Sequence, residues 1–251
     1  MNSYNQGSKL ALDAAGNVYC TGYGQSAQGD DDIITCKFVS GTGRLSWARR
    51  IADTKHLQDE GTAIVVRGAH VWVTGGEYAG ATDRVVGLAK YTLAGKRLWL
   101  RTWLERADTL EYPEALAVDG HGNAVVVGSG NDNPVTRDHA FILHYSAAGA
   151  LQWRRIAYDS VSHEAEWHDV VCDAAGRIWV GGDTVMGSSD YFAVARYKAT
   201  GGRVWRSVWK GPHGLGGDCN SICLGKTGLF AGGVISTTSG GTNALAVKYT
   251  R

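Results

Sequence analysis

Twelve of the chain's 24 acidic residues fall in four short stretches. They are Asp53, Asp59 and Glu60; Glu105, Asp108, Glu111 and Glu114; Asp159, Glu164, Glu166 and Asp169; and Asp218. Only Lys55, Arg106 and Lys210 oppose them there. Carboxylates gathered this way can hold a cation, bind sugar hydroxyls or a basic peptide, or work in pairs as acid and base. Glycoside cleavage needs two carboxyls about 5–10 Å apart, and Asp59, Glu111, Glu166 and Asp218 are the candidate set. In Glu166-Trp167-His168-Asp169 an aromatic sits among carboxylates, which suits carbohydrate stacking. A tryptophan packed over a neighbouring element is the plainer alternative. His163 and His168 with Glu164, Glu166 and Asp169 have the donor types of a divalent-metal site, although no His spacing repeats. Asp30-Asp31-Asp32 and Asn131-Asp132-Asn133 look like pieces of a calcium loop that lacks its distal Glu. Calcium is therefore the one cofactor with any motif, and no other is expected. There is no G-x-S-x-G, no phosphate-cradling glycine motif and no H-E-x-x-H.

The elements that must position these residues repeat. Lys37-Phe38, Lys90-Tyr91, His144-Tyr145, Arg196-Tyr197 and Lys248-Tyr249 recur every 52 to 54 residues. Trp47, Trp99, Trp153 and Trp205 keep step with them, as do Gly22, Gly75, Gly128, Gly182 and Gly233. Self-similarity at this period means stacked supersecondary units. Each unit opens on a short apolar run such as Leu10-Ala11-Leu12 or Val170-Val171-Cys172. Lacking alternation, it reads as a strand buried on both faces. An Asp-x-x-Gly turn follows at Asp13, Asp119 and Asp173, where Asp can hold nearby backbone N–H groups. The second strand carries Tyr19, Trp72, Trp179 or Phe230 at one register and ends at the register glycine. The third strand ends on the basic-aromatic pair. A turn at Gly43, Gly95, Gly149 or Gly201 then leads to the register tryptophan, which opens a fourth strand.

Four antiparallel strands per repeat make a blade, and blades buried on their inner strands close into a propeller. The reading is an all-β, five-bladed β-propeller in a single domain, residues 1–251. Its blades cover approximately 9–52, 61–104, 114–158, 168–210 and 219–251. The last blade stops at Arg251 without its tryptophan strand, so it is expected to have three strands. Residues 1–7 are candidates to patch it, and its open edge is a candidate for pairing with another chain.

Net charge of +1 gives no steering toward nucleic acid, and no apolar run reaches the ~18–20 residues that span a bilayer. The N-terminus lacks signal-peptide features, as expected of a cytoplasmic or a trimmed exported protein. The five cysteines are odd in number and lack metal-ligand spacing. Cys172 and Cys223 share a register with Leu12 and Val65, and are expected to be small buried hydrophobes.

Ala11-Leu12-Asp13-Ala14-Ala15-Gly16-Asn17-Val18-Tyr19-Cys20-Thr21-Gly22 resembles the bacterial β-propeller repeat family labelled SBBP. The second half of that family's pattern is matched from Asp83 through Lys90-Tyr91, Gly95 and Trp99, and from Asp190 through Arg196-Tyr197, Gly201 and Trp205. The pattern departs at Val66-Arg67-Gly68-Ala69-His70, and again where Asn243 replaces the Asp. The resemblance implies a propeller, often in exported or surface proteins, and no particular chemistry. The Gly-x-x-x-Trp turn is also similar to that of pyrroloquinoline-quinone propellers, from which blade number and cofactor pattern depart.

Residues shared between repeats serve the fold, so residues that break register are the functional candidates. These are Asp59, Glu60, Glu111, Glu166, Trp167, His168, Asp169 and Asp218. Trp167 is aligned with Gly7, Glu60, Pro113 and Asp218. The functional expectation is a non-catalytic binding or scaffold propeller holding a carbohydrate, cation or peptide on its acidic connector face. The alternative is a carboxylate-based glycoside hydrolase or lyase in the funnel.

Overall fold

A computed structural model describes residues 5–27, 29–51, 58–80, 82–132, 138–157, 165–186, 189–211 and 214–250. Over these the chain has nineteen β-strands and no α-helix. It forms two compact units, residues 1–116 and 117–251.

In the first unit, β1 (Asn5–Leu12), β2 (Val18–Gln25), β3 (Asp31–Phe38) and β4 (Leu45–Ile51) pair antiparallel in that order. So do β5 (Glu60–Arg67), β6 (His70–Tyr78), β7 (Arg84–Thr92) and β8 (Arg97–Trp103). Strand β9 (Thr109–Val118) joins β7 through a parallel pair, Arg84 with Leu110. In the second unit the chain continues through β10 (Ala124–Asp132), β11 (Asp138–Tyr145) and β12 (Leu151–Ala157). A four-stranded sheet of β13 (Ala165–Cys172), β14 (Ile178–Met186), β15 (Ser189–Tyr197) and β16 (Arg203–Trp209) follows. The last sheet has three strands, β17 (Gly217–Gly225), β18 (Gly228–Ser236) and β19 (Thr242–Thr250). Residues 5–7, considered as a patch for it, instead extend β1 along β2. Residues 1–4 lie outside the described residues.

The Asp turns form as the sequence requires. Asp13 Oδ1 accepts the N–H groups of Ala15 (3.0 Å) and Asn17 (2.9 Å), and the Asn17 amide donates to Asp13 Oδ2 at 2.8 Å. Asp119 and Asp173 repeat the arrangement.

The tryptophan and glycine registers keep step because they touch. Trp47 Nε1 donates to the Leu93 carbonyl (3.1 Å) and Arg49 Nε to the Gly95 carbonyl (2.7 Å), both in the following repeat. Trp153 and Arg155 do the same to Ala199 (2.8 Å) and Gly201 (2.9 Å). Gly95 and Gly201 adopt φ of +81° and +83°, and a Cβ on either would lie 2.8 Å from the tryptophan ring. Trp47 also anchors the first unit's core with Tyr19, Ile33, Ile64, Val73 and Tyr91.

The second strand does not end at the register glycine but runs three or four residues past it, and a second contact explains that glycine. The first strand carries a bulge opposite it, at Ser8, Thr62, His168 and Asn220, where the registers shift. The carbonyl before the bulge is pressed against the glycine. A Cβ on Gly22, Gly75, Gly182 or Gly233 would come within 1.9–2.3 Å of the carbonyl oxygen of Gln6, Glu60, Glu166 or Asp218.

Two expectations are corrected. Strand β1 is not buried on both faces: Leu10 is 68% and Leu12 57% exposed. Pairing places Leu10, Cys20, Cys36 and Ala48 in one row, on the face opposite the Tyr19–Trp47 core. Cys223 is exposed and Cys172 half-buried, so neither is a fully buried hydrophobe.

Candidate active site

The bulges determine where the acidic side chains go. A bulge re-aims the residues around it, and Gln6, Glu60, Glu166 and Asp218 occupy equivalent positions just before it. Trp167 is therefore equivalent to Gly7, Gly61 and Cys219; the sequence alignment put Glu60 and Asp218 at the last two places, one residue off, because the turns after β5 and β17 are shorter than those after β1 and β13.

In the first unit this position opens on a cavity of about 510 Å³. Asp31, Gln58, Asp59 and Glu60 line it together with Tyr23, Tyr78, Arg84 and Tyr112. Asp59 is buried; its Oδ1 accepts the Tyr78 N–H at 2.8 Å, and its own N–H donates to the Asp31 carbonyl at 2.8 Å. Glu60 is half-buried, and its Oε1 accepts the hydroxyl of Ser8, the bulge residue of the preceding repeat, at 3.1 Å. Arg84 is 8% exposed. Its Nη1 donates to the Glu111 carbonyl at 3.3 Å, and its guanidinium lies 4.7 Å from the Tyr112 ring centre and 5.8 Å from that of Tyr78. Among the described residues it forms no ion pair. Gly76 makes the room: a Cβ there would stand 2.3 Å from Arg84 Cζ.

Arg84 was missed because the alignment placed Asp83 at the family aspartate. In the structure Arg84 pairs with Tyr78 as Asp31 pairs with Gln25 and Asp190 with Val185. It lies six residues before Lys90, as Asp31 lies before Lys37 and Asp190 before Arg196. Arg84 is thus a charge reversal within the repeat, and the spacing alone would have exposed it.

In the second unit the equivalent positions build a cluster. Glu166 pairs with Asp183 across β13 and β14, and the bulge residue His168 points its Nε2 at Asp183 Oδ1, 2.6 Å away, with Glu166 Oε2 at 3.9 Å. One donor atom from each of the three lies within 4.8 Å of the others. Burial, then the Asp183 charge, pushes the Asp190 carboxyl above its ordinary value. Burial, then Asp183 and Asp190, pushes Asp218 up against the opposing pull of His168. An imidazole and two carboxylates within reach, with two more carboxyls repelling each other nearby, are donors a divalent cation can use.

The remaining expected residues do not face a ligand. Trp167, considered as a stacking platform, is 2% exposed and shows no ring face to solvent. Asp169 ties two repeats together, accepting the Ile222 N–H at 2.8 Å and the Ser221 hydroxyl at 3.2 Å. Glu111 is sealed, accepting the Thr109 hydroxyl (3.1 Å) and the Glu105 N–H (3.3 Å). Of the proposed carboxylate set, Asp59 alone lines the first unit's cavity; Glu166 and Asp218 belong to the second unit's cluster. The three carboxylates of Asp30-Asp31-Asp32 have different surroundings. Asp30 accepts the Ser26 hydroxyl, Asp32 pairs with Arg50, and Asp31 faces the cavity. His163, Glu164, Asp53, Asp159 and Asn133 lie outside the described residues.

No protein-family model matches the chain, and no curated protein matches it in sequence. Among solved structures it is similar to a polysaccharide lyase, the PL25 ulvan lyase, with a TM-score of 0.58 and 8% identity over 98% of this chain and 64% of that one. It is also similar to the quinohemoprotein alcohol dehydrogenase of Comamonas testosteroni, with a TM-score of 0.54 and 13% identity over 99% of this chain and 44% of that one. The chain therefore spans less than two thirds of the length of either. A GH43 β-xylosidase/α-arabinofuranosidase from a compost microbial metagenome matches at a TM-score of 0.46 and 11% identity, over 98% of this chain and 91% of that one. The first two likenesses identify the fold as that of β-propeller proteins. They also stand against the expectation of a non-catalytic binding or scaffold module, since both of those neighbours are enzymes and one is a polysaccharide lyase.

Proposed function

We propose that this chain is a carbohydrate-active enzyme that cleaves glycosidic bonds at the cavity of the first unit. The observation that carries the reading is the meeting of Asp31, Asp59, Glu60 and Arg84 with three tyrosines around about 510 Å³, a volume suited to a small ligand or a few sugar rings. Tyrosine rings offer apolar faces to sugars, and the charged groups match hydroxyls that both donate and accept. Glu60, half-buried beside a hydroxyl, is the proton donor to the leaving oxygen. Asp59, oriented by the Tyr78 N–H, is the carboxylate that works with it.

One observation favours a second reading, elimination from an acidic sugar. That reaction removes the proton beside a ring carboxylate, whose charge must be neutralised. Arg84, a fork of donors without an ion-pair partner among the described residues, suits that task. The finer architecture belongs to the same proposal: five blades of SBBP-type repeat in one propeller, with Glu166, His168 and Asp183 holding a divalent cation.

A panel of neutral and acidic polysaccharides tests the reading. Hydrolysis releases reducing ends without ultraviolet absorbance, whereas elimination also creates a conjugated, absorbing double bond. Under hydrolysis Glu60→Gln is expected to lower kcat about 10²–10⁴-fold with KM little changed; under elimination Arg84→Gln causes the larger loss. Absence of cleavage across the panel, or full activity in both variants, overturns the proposal.

A further inference from the structure

Cys20 on β2 and Cys36 on β3 are direct cross-strand partners. Opposite residues on antiparallel strands have Cα atoms about 4.5–5.5 Å apart, inside the roughly 4.4–6.8 Å that a disulfide spans. Strand alternation puts both side chains on one face, in the row Leu10, Cys20, Cys36, Ala48. That face lies opposite the packed Tyr19–Trp47 side, and its leucines Leu10, Leu12 and Leu45 are exposed. The two cysteines are half-buried and free, and they line an apolar groove of about 300 Å³ with Gly22, Ile34 and Ala48. A reagent as small as a peroxide can enter it.

We propose that Cys20 and Cys36 form an oxidisable dithiol that takes a peroxide in this groove and closes into a cross-strand disulfide. The Cys36 thiol donates its hydrogen bond to the Cys20 sulfur, which holds the Cys20 thiol below its ordinary value and raises that of Cys36. Cys20 is accordingly the attacking thiolate. Its sulfur attacks one peroxide oxygen and the O–O bond breaks; the attacked oxygen keeps its hydrogen, so Cys20 becomes a sulfenic acid, and the departing hydroxide takes up the proton that Cys20 lost on ionising and leaves as water. Cys36 sulfur then attacks the Cys20 sulfur, the S–O bond breaks, and hydroxide takes the Cys36 proton as a second water. In sum, two thiols and one hydrogen peroxide give one disulfide and two waters: sulfur loses two electrons and the peroxide gains them. The proposal is independent of the glycosidic reading.

The test uses the fully reduced chain and one equivalent of hydrogen peroxide. The wild type is expected to lose two hydrogens in intact mass and to yield a Cys20–Cys36 cross-linked peptide in a non-reducing digest. Because the closed loop is about 15 residues, Tm should rise by ~6 °C and fall back with reductant. Cys36→Ser should stop at the sulfenic acid on Cys20, trapped there by a 1,3-dione. Full alkylation of both cysteines after peroxide overturns the proposal, as does a disulfide mapped elsewhere or a Cys20 sulfenic acid that persists beside an intact Cys36. The wild-type map decides the matter even if a variant fails to fold.

Discussion

The docking of Trp47 on the next repeat's glycine turn gives a prediction whose size follows from the structure. Gly95→Ala places a β-carbon at a residue with φ of +81°, which costs an L-residue roughly 1–2 kcal/mol. The same carbon would stand 2.8 Å from the Trp47 ring, well inside van der Waals contact, so the indole has to move. Moving it breaks the 3.1 Å bond from Nε1 to the Leu93 carbonyl, about 1 kcal/mol. It also disturbs ring contacts to Tyr19 at 5.9 Å and Tyr91 at 6.4 Å, together about 1 kcal/mol. The expected loss is about 3–4 kcal/mol. Gly43 occupies the same turn in the first repeat, with φ of +64°, but an added Cβ there would meet nothing within 4 Å. Gly43→Ala should therefore lose only the conformational part, about 1–2 kcal/mol. At a urea m-value of about 2 kcal/mol/M, the midpoint of Gly95→Ala should fall about 1 M below that of Gly43→Ala. Equal midpoints would refute the claim that the tryptophan–turn contact is what keeps the two registers in step. Gly201→Ala against Trp153 repeats the measurement in the second unit.

Two further outcomes are expected. At Asp13 and Asp173 burial opposes ionisation, but the hydrogen bonds from Asn17, Tyr19 and Ala15, or from Arg177 and Ala175, outweigh it and hold both carboxyls below 3.8. A depressed carboxyl contributes stability that is complete above its unfolded value and is lost as pH falls through its folded value. Asp13→Ala should thus lower Tm most at neutral pH, and the gap from wild type should shrink below about pH 3.8; a gap that widens in acid would sink the account. At the second unit's cluster, manganese or zinc at about 100 times its Kd should stabilise the wild type by about 2.7 kcal/mol. His168→Ala combined with Asp183→Asn should abolish the shift, and an unchanged shift in that variant would place the metal elsewhere.

Much of the fold was legible because the repeat states it five times. The Asp turns, the basic-aromatic pair and the Gly–Trp step each recur with a fixed partner, so counting residues was equivalent to reading contacts. The three-stranded last sheet followed from the missing tryptophan strand. The burial of β1 was not legible. Leu10 and Leu12 have the composition of an inner strand, but composition cannot tell whether a neighbouring sheet covers them, and here they are exposed.

The site was legible only in part, and the reasons are the bulge and the length of the turn that follows it. An inserted residue leaves spacing on either side intact while shifting every side chain around it to another face. Glu60, Glu166 and Asp218 were picked out by charge, yet their equivalence, and that of Trp167 with Gly61, appears only in the strand pairing, because the turn after the first strand is shorter in the second and fifth repeats. The glycine is invariant across the repeats because the carbonyl before the bulge lies against it. The side chain of that same residue differs from repeat to repeat: Gln6, Glu60, Glu166, Asp218. The position opposite varies likewise, as Tyr23, Gly76, Asp183 and Val234. Where it is Gly76, Arg84 fills the space and a cavity with mixed charges forms; where it is Asp183, the carboxylates converge on His168. One backbone device therefore fixes the glycine and frees its neighbours, and this is why the chemistry of the chain lies beside its most regular residue.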